Sequence, residues 1–219
     1  MPLLGPLHLA LLAAIAAVAA GLSVLCRRRP RAARPVRLAL GLGLAANEIV
    51  WWVFRYSHEG VHLTNLPLQL CDAAVWLSVF ACLSLSPLVV ECAYFAGLAG
   101  AGMALLTPDL WSPWPTYPAI YFFLAHGGIV IAVAVLVFGR VRPLRPGALW
   151  RAYGLLLAWA ALDGVFNLLA RTDYMYLCRK PAAASALNIL GPWPVYLFSG
   201  AAVALLLFWL LYLVAPRSA

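Results

Sequence analysis

Charge is scarce in this sequence. Asp, Glu, Lys and Arg make up 10% of the 219 residues, against 65% hydrophobic ones. A soluble domain carries about 25% charged residues, so too little polar material is present to cover a water-soluble globule of this size. Lysine is almost missing: of 15 basic residues only Lys180 is not arginine. That bias, with the richness in alanine and leucine, points to a GC-rich genome. Acidic residues number 7, which leaves a basic balance. The arginines sit in short clusters between apolar runs, as in cytoplasmic loops, and this excludes nucleic acid as the partner. The five cysteines, Cys26, Cys71, Cys82, Cys92 and Cys178, show no C-x-x-C spacing. Neither a disulfide framework nor a zinc site is therefore expected, and no metal or cofactor. The first apolar run is long, has no basic residue before it and is followed by arginines, an order that favours a retained helix over a cleavable signal peptide.

What is present is a series of long apolar segments. A membrane-crossing helix needs ~20 mostly apolar residues. Seven stretches qualify, at 3–25, 37–54, 66–85, 88–106, 117–138, 152–170 and 194–214. The expected fold is all-α: a polytopic bundle of seven transmembrane helices in one domain, without internal repeats, in contact with membrane lipids. Pro87 is pre-set for the first turn of the fourth span. Arg27, Arg28, Arg29, Arg31, Arg34, Arg37, Arg140, Arg142, Arg145, Arg151 and Arg217 fall on one side of such a bundle. The other side holds only Arg55, Arg171, Arg179 and Lys180. The positive-inside rule then puts the N-terminus outside and the C-terminus in the cytoplasm. The outer loops gather the histidines, prolines and many of the tryptophans, among them the stretch 111–115, which could serve as a docking surface.

Ionisable groups at membrane depth are costly and usually face a protein interior or a watery cavity. Those found here are Glu48, Asp72, Glu91, His126 and Asp163, with Asn47 and Asn167 as neutral companions. At 1.5 Å per helical residue, Cys71 lies ~8 Å from the outer end of its span, Glu48 ~9 Å, Asp163 ~10 Å and His126 ~13 Å. Four helices thus bring polar or nucleophilic groups to the outer half of the bilayer. Glu91 is expected near the inner end as a shallow interfacial residue. Cys71 stands on the first turns of a helix whose start is marked by Pro67, and a helix N-terminus favours a thiolate. The usual partner of a reactive thiol is histidine, so Cys71 and His126 form a candidate dyad. Asp72, Glu48, Asp163 or Asn167 could orient the imidazole. Gly127 and Gly128 are expected to leave open space beside His126. Ala93, Gly97 and Ala101 form a small-residue stripe expected at a close helix–helix contact.

Several segments resemble the YwaF family of bacterial integral membrane proteins, whose vertebrate relatives are transmembrane lipid acyltransferases. They are Leu-Pro-Leu-Gln-Leu-Cys at 66–71, Leu-Leu-Thr-Pro-Asp at 105–109 and Ala-His-Gly-Gly at 125–128. Asp-Tyr-Met-Tyr-Leu at 173–177, Lys180-Pro181 and Gly-Pro-Trp-Pro-Val-Tyr at 191–196 complete the set. Gln69 stands where the family often has histidine, and Val195 where tryptophan is usual. The resemblance implies a multi-pass cell-membrane protein in which Cys71 takes an acyl group as a thioester and His126 serves as base. It implies substrate-binding or orienting roles for the motif residues Gln69, Tyr174, Lys180, Trp193 and Tyr196.

The leading expectation is a membrane-embedded lipid acyltransferase or acyl hydrolase that acts on phospholipid or lysophospholipid through this dyad. The alternative is a seven-helix transporter or receptor that binds a small amphipathic solute without covalent chemistry. A retinal-type receptor is disfavoured, since the last span has no lysine for a Schiff base.

Overall fold

The computed structural model describes residues 3–110, 112–180 and 186–217, with Ala186 by its backbone alone. Trp111 of the outer tryptophan stretch and Pro181 of the Lys-Pro motif lie outside the described residues.

Among the described residues the chain is helical, apart from one isolated β-bridge between Leu144 and Arg217. Helix α1 runs from Pro6 to Arg28, with proline at its first position, where no backbone donor is needed. A 3₁₀ turn, Pro30–Ala32, leads into α2, Ala33–Glu59, which stops at Gly60 with φ of 74°. After ten non-helical residues comes α3, Leu70–Ser84. Helix α4, Pro87–Ala96, passes through a π-helical stretch, Gly97–Ala101, into the short α5, Gly102–Leu106, and the three form one rod. Helix α6 spans Tyr117–Phe138, α7 Ala148–Ala170 and α8 Val195–Val214.

Six of these rods are long and apolar enough to cross a membrane; α3 is the shorter seventh, at 15 residues. It begins at Leu70, four residues later than expected. Its preceding turns follow their own course: Leu68 N–H donates to the Leu66 carbonyl, and Gln69 N–H to the Asp72 carboxylate at 3.1 Å. Pro67 therefore lies outside the helix, and Cys71 occupies its second position rather than its second turn.

Helix α6 is the axis of the bundle and packs against α1, α2, α3 and the α4–α5 rod. Its glycines make this possible. A Cβ on Gly127 would meet Ile15 of α1 at 2.8 Å, and one on Gly128 would meet Leu44 of α2 at 2.7 Å. The space expected beside His126 is therefore filled by side chains of two neighbouring helices. The small-residue stripe behaves as expected: Ala93 and Ala101 are buried, and Gly97 admits Ile129 of α6. Helix α8 is the outermost element, with Tyr196 and Phe208 its buried residues.

One end of the bundle collects the arginines. Arg27 donates to the Phe138 carbonyl and Arg37 to the carbonyls of Cys82 and Leu83, which ties α1 to α6 and α2 to α3. Glu91 is the hub of this end. It is 1% exposed, and each of its carboxylate oxygens accepts from both Arg145 and Arg151 at 2.8 to 3.1 Å. A carboxylate with two bidentate guanidiniums is the strong form of charged hydrogen bond. Its place in the first turns of α4, at the arginine end, is the one expected; its partners, more than fifty positions away in sequence, were not foreseen. Outside the spans, the same contact holds the Arg145 guanidinium above its ordinary value.

Candidate active site

At the opposite end the helices enclose a chamber of about 520 Å³. The first turns of α3 supply Gln69, Leu70, Cys71 and Asp72, and α6 supplies Pro118, Tyr121, Phe122, Ala125 and His126. Those α6 residues recur at three- and four-residue spacing, so they share one face. Arg55 closes the α2 side, Ala96 and the π turn form the back, and Asp109, Met175 and Tyr176 come from the loops.

Cys71 is the exposed thiol of this chamber, whereas Cys26 and Cys82 are buried. At the second position of α3 it sits among backbone N–H groups that lack an intrahelical acceptor.

His126 is 8% exposed and its Nδ1 lies 2.8 Å from the Phe122 carbonyl oxygen, one turn back. A carbonyl only accepts, so in the neutral ring Nδ1 carries the proton and Nε2 keeps its lone pair. Nε2 meets no hydrogen-bond partner among the described residues, and the residue borders the chamber. Its protonation pattern is that of a base. Cys71 and His126 share this space, but no hydrogen bond joins them. Such contacts are often long in a site without substrate.

None of the four residues expected to orient the imidazole hydrogen-bonds to it. The backbone of α6 does that, and each of the four is turned elsewhere. Glu48 is fully buried and accepts from Trp52 Nε1 and from the Tyr121 hydroxyl, both at 2.7 Å. Asp72 caps α3 through the Gln69 N–H. Asn167 fixes the turn after α7, accepting from Thr172 Oγ1 and Tyr174 N–H and donating to the Tyr174 carbonyl. Asp163 is 3% exposed and faces Trp159 on its own helix, yet neither Asp163 Oδ2 nor Trp159 Nε1 closes a hydrogen bond among the described residues.

The motif residues shape the chamber's rim rather than its interior. Tyr174 is buried, and its hydroxyl donates to the Leu63 carbonyl at 2.8 Å and accepts the Leu66 N–H at 2.7 Å. Gln69 Oε1 accepts the Met175 N–H at 3.0 Å. The loop before α3 and the loop after α7 are thereby bound to each other. Trp193 donates to the Leu177 carbonyl, Tyr196 to the Tyr176 carbonyl, and the Lys180 ammonium lies 5.3 Å from the Tyr196 ring. Of these five, only Gln69 borders the chamber. Sequence reading missed Tyr121, Tyr176 and Asp109 as lining groups. The spacing of Tyr121, Phe122, Ala125 and His126 along one helix was the available signal for the first. Burial and the nearby charges of Asp109 and Asp173 hold the Tyr176 phenol above its ordinary value, so it stays a donor.

With this geometry in view, comparison with known families is informative. The model of the TMEM164 family matches residues 3–212. The chain belongs to the TMEM164 family. The match runs through every helix described above, so the chamber, the arginine end and the rim loops of this TMEM164-family chain all lie inside it. No curated protein and no solved structure matches the chain.

Proposed function

We propose that this TMEM164-family protein is a membrane-embedded enzyme that transfers or hydrolyses the acyl groups of phospholipids or lysophospholipids, with Cys71 as nucleophile and His126 as base. The observation that carries the reading is a pairing within one chamber: an exposed thiol at the N-terminus of α3, and an imidazole whose Nε2 lone pair is left free. The resemblance of the motif segments to the YwaF family and its acyltransferase relatives points the same way.

The step balances with protein groups alone. The Cys71 proton passes to His126 Nε2 as sulfur bonds to the ester carbonyl carbon. The N–H groups at the start of α3 receive the developing oxyanion, a task suited to pre-aimed donors. The carbon–oxygen bond to the lysophospholipid then breaks, and its oxygen takes the proton from His126. A second hydroxyl, from a lysophospholipid or from water, attacks the thioester in the reverse sense and regenerates the thiol.

The reading includes an orientation in the cell membrane. Seven crossings, with α3 completed by the non-helical residues before it, put the arginine end in the cytoplasm and the N-terminus and chamber outside. An ester at the headgroup boundary of the outer leaflet then meets the thiol.

The test is purified protein in vesicles of phosphatidylcholine carrying an alkyne-tagged acyl chain, followed by mass spectrometry of the Cys71 peptide. A hydroxylamine-labile acyl adduct on Cys71, absent in Cys71→Ala and slowed in His126→Ala, is the expected result. Labelling that survives both changes rules the dyad out and leaves the solute-binding alternative.

A further inference from the structure

Beside the chamber runs a second cavity of a different character. It measures about 450 Å³ and lies between α3, α4 and α7. Helices α3 and α7 both pack on α4 but hardly on each other, so a cleft opens between them with α4 as its floor. Its walls are Leu70, Ala73, Trp76, Leu77 and Phe80 on one side and Ala152, Leu155, Leu156, Trp159 and Leu162 on the other. Cys92 and Ala96 line the floor. No charged residue lines it.

Two features set this cleft apart from an ordinary lipid-facing surface. First, it adjoins the thiol chamber: Leu70 and Ala96 border both. Leu70 is the residue next to Cys71. Second, its length matches one lipid tail. On α3 the wall runs ten residue steps from Leu70 to Phe80, and on α7 it runs ten from Ala152 to Leu162. At 1.5 Å per residue each is ~15 Å, and half of a ~30 Å hydrocarbon core is the same length.

We propose that the α3–α4–α7 cleft holds a single fatty acyl chain with its carboxyl end at the thiol chamber and its methyl end beside Phe80 and Ala152, and that these two residues limit the chain length accepted. The inference rests on the acyl-transfer reading for the identity of the substrate, but the cleft can be tested without turnover. Small residues keep it open: Ala73 near the chamber, and Ala152 at the far end.

The experiment uses full-length Cys71→Ala protein in vesicles containing phosphatidylcholine with a diazirine either near the ester or at the terminal carbon of one acyl chain. After photolysis, labelled peptides are mapped by mass spectrometry. Ester-proximal label is expected around Leu70 and Ala96, and terminal label around Phe80 and Ala152. Ala73→Trp, added to the same protein, is expected to cut the terminal label at those sites by about tenfold, the loss that goes with displacing roughly two methylenes from the cleft. Terminal label spread evenly over the lipid-facing helices, α8 and α1 included, overturns the proposal, and so does an unchanged pattern in Ala73→Trp. A parallel sample with Cys71 intact separates the two readings. Cleft labelling without a Cys71 thioester supports the groove and removes the chemistry. A thioester with uniform labelling does the opposite.

Discussion

The two ends of this bundle handle buried polarity in opposite ways. At the arginine end every strong group near the membrane interior is saturated. Glu91 takes four hydrogen bonds from the guanidiniums of Arg145 and Arg151, and the arginines of α1 and α2 cap carbonyls at the ends of neighbouring helices. A hollow of about 610 Å³ exists there too, beside Cys26, Arg27 and Arg140, but that cysteine is buried and no histidine lines the space. At the chamber end Glu48 is satisfied by Trp52 and Tyr121, while the Cys71 sulfur, His126 Nε2 and Asp109 are left without hydrogen-bonding or ion-pair partners among the described residues. On the proposed reading, the open thiol and imidazole are the working groups of the site. One end is therefore closed by charged contacts, and the other keeps an unpaired thiol and imidazole around a chamber.

Substitutions should separate the two ends. The largest effect belongs to Cys71→Ala, which is expected to reduce acyl turnover by at least ~10⁴-fold, the scale of losing a nucleophile, while the thermal midpoint in detergent stays within a degree or two of the parent. A large drop in that midpoint would place Cys71 among the packing residues. His126→Ala should cost ~10²–10⁴-fold in turnover, the range of a general base, read from the rate of thioester formation at saturating lipid. At the arginine end, Glu91→Ala should leave the chamber chemistry intact per folded molecule and destabilise the fold. A broken buried pair costs ~3–5 kcal/mol, and the low end is expected because both guanidiniums are partly exposed. Denaturant titration in detergent measures it. Tyr174→Phe removes the donor to Leu63 and should cost about 1 kcal/mol. Its sharper readout is faster amide exchange in residues 61–69. Asp163→Asn is expected not to destabilise the fold, since it removes the charge from a buried carboxyl whose Oδ2 has no hydrogen-bond partner among the described residues. If it abolishes turnover instead, the division between a finished end and an open one has been drawn in the wrong place.

Much of this arrangement was legible in the sequence, and the exceptions share one cause. Apolar run length located all seven rods to within a few residues at most ends, because lipid leaves a helix no alternative way to satisfy its backbone. Cys71 and His126 were placed in one region by depth arithmetic alone. What failed was partner choice. Glu91 gave no sign of its partners because its arginines are remote in sequence. Gly127 and Gly128 looked like open space because the side chains that fill it, Ile15 and Leu44, belong to other helices. The imidazole was given a carboxylate or amide partner when a carbonyl of its own helix was one turn away. Pro67 was read as the start of α3, yet a turn held by Asp72 and Tyr174 delays the helix to Leu70. Periodicity reports what a segment does by itself; contacts between segments decide the rest.

The brevity of α3 has a mechanical outcome for the surrounding bilayer. Fifteen residues give ~22 Å of rise, well below the ~30 Å hydrocarbon thickness. A rod that stops short of the interface must be met by hydration from above, by local thinning of the leaflet, or by both. Either adjustment lowers glycerol backbones to the level at which α3 begins. On the proposed acyl-transfer reading, the protein then need not lift a lipid out of the bilayer to reach its ester linkage, because the dip around a truncated helix brings that linkage to it.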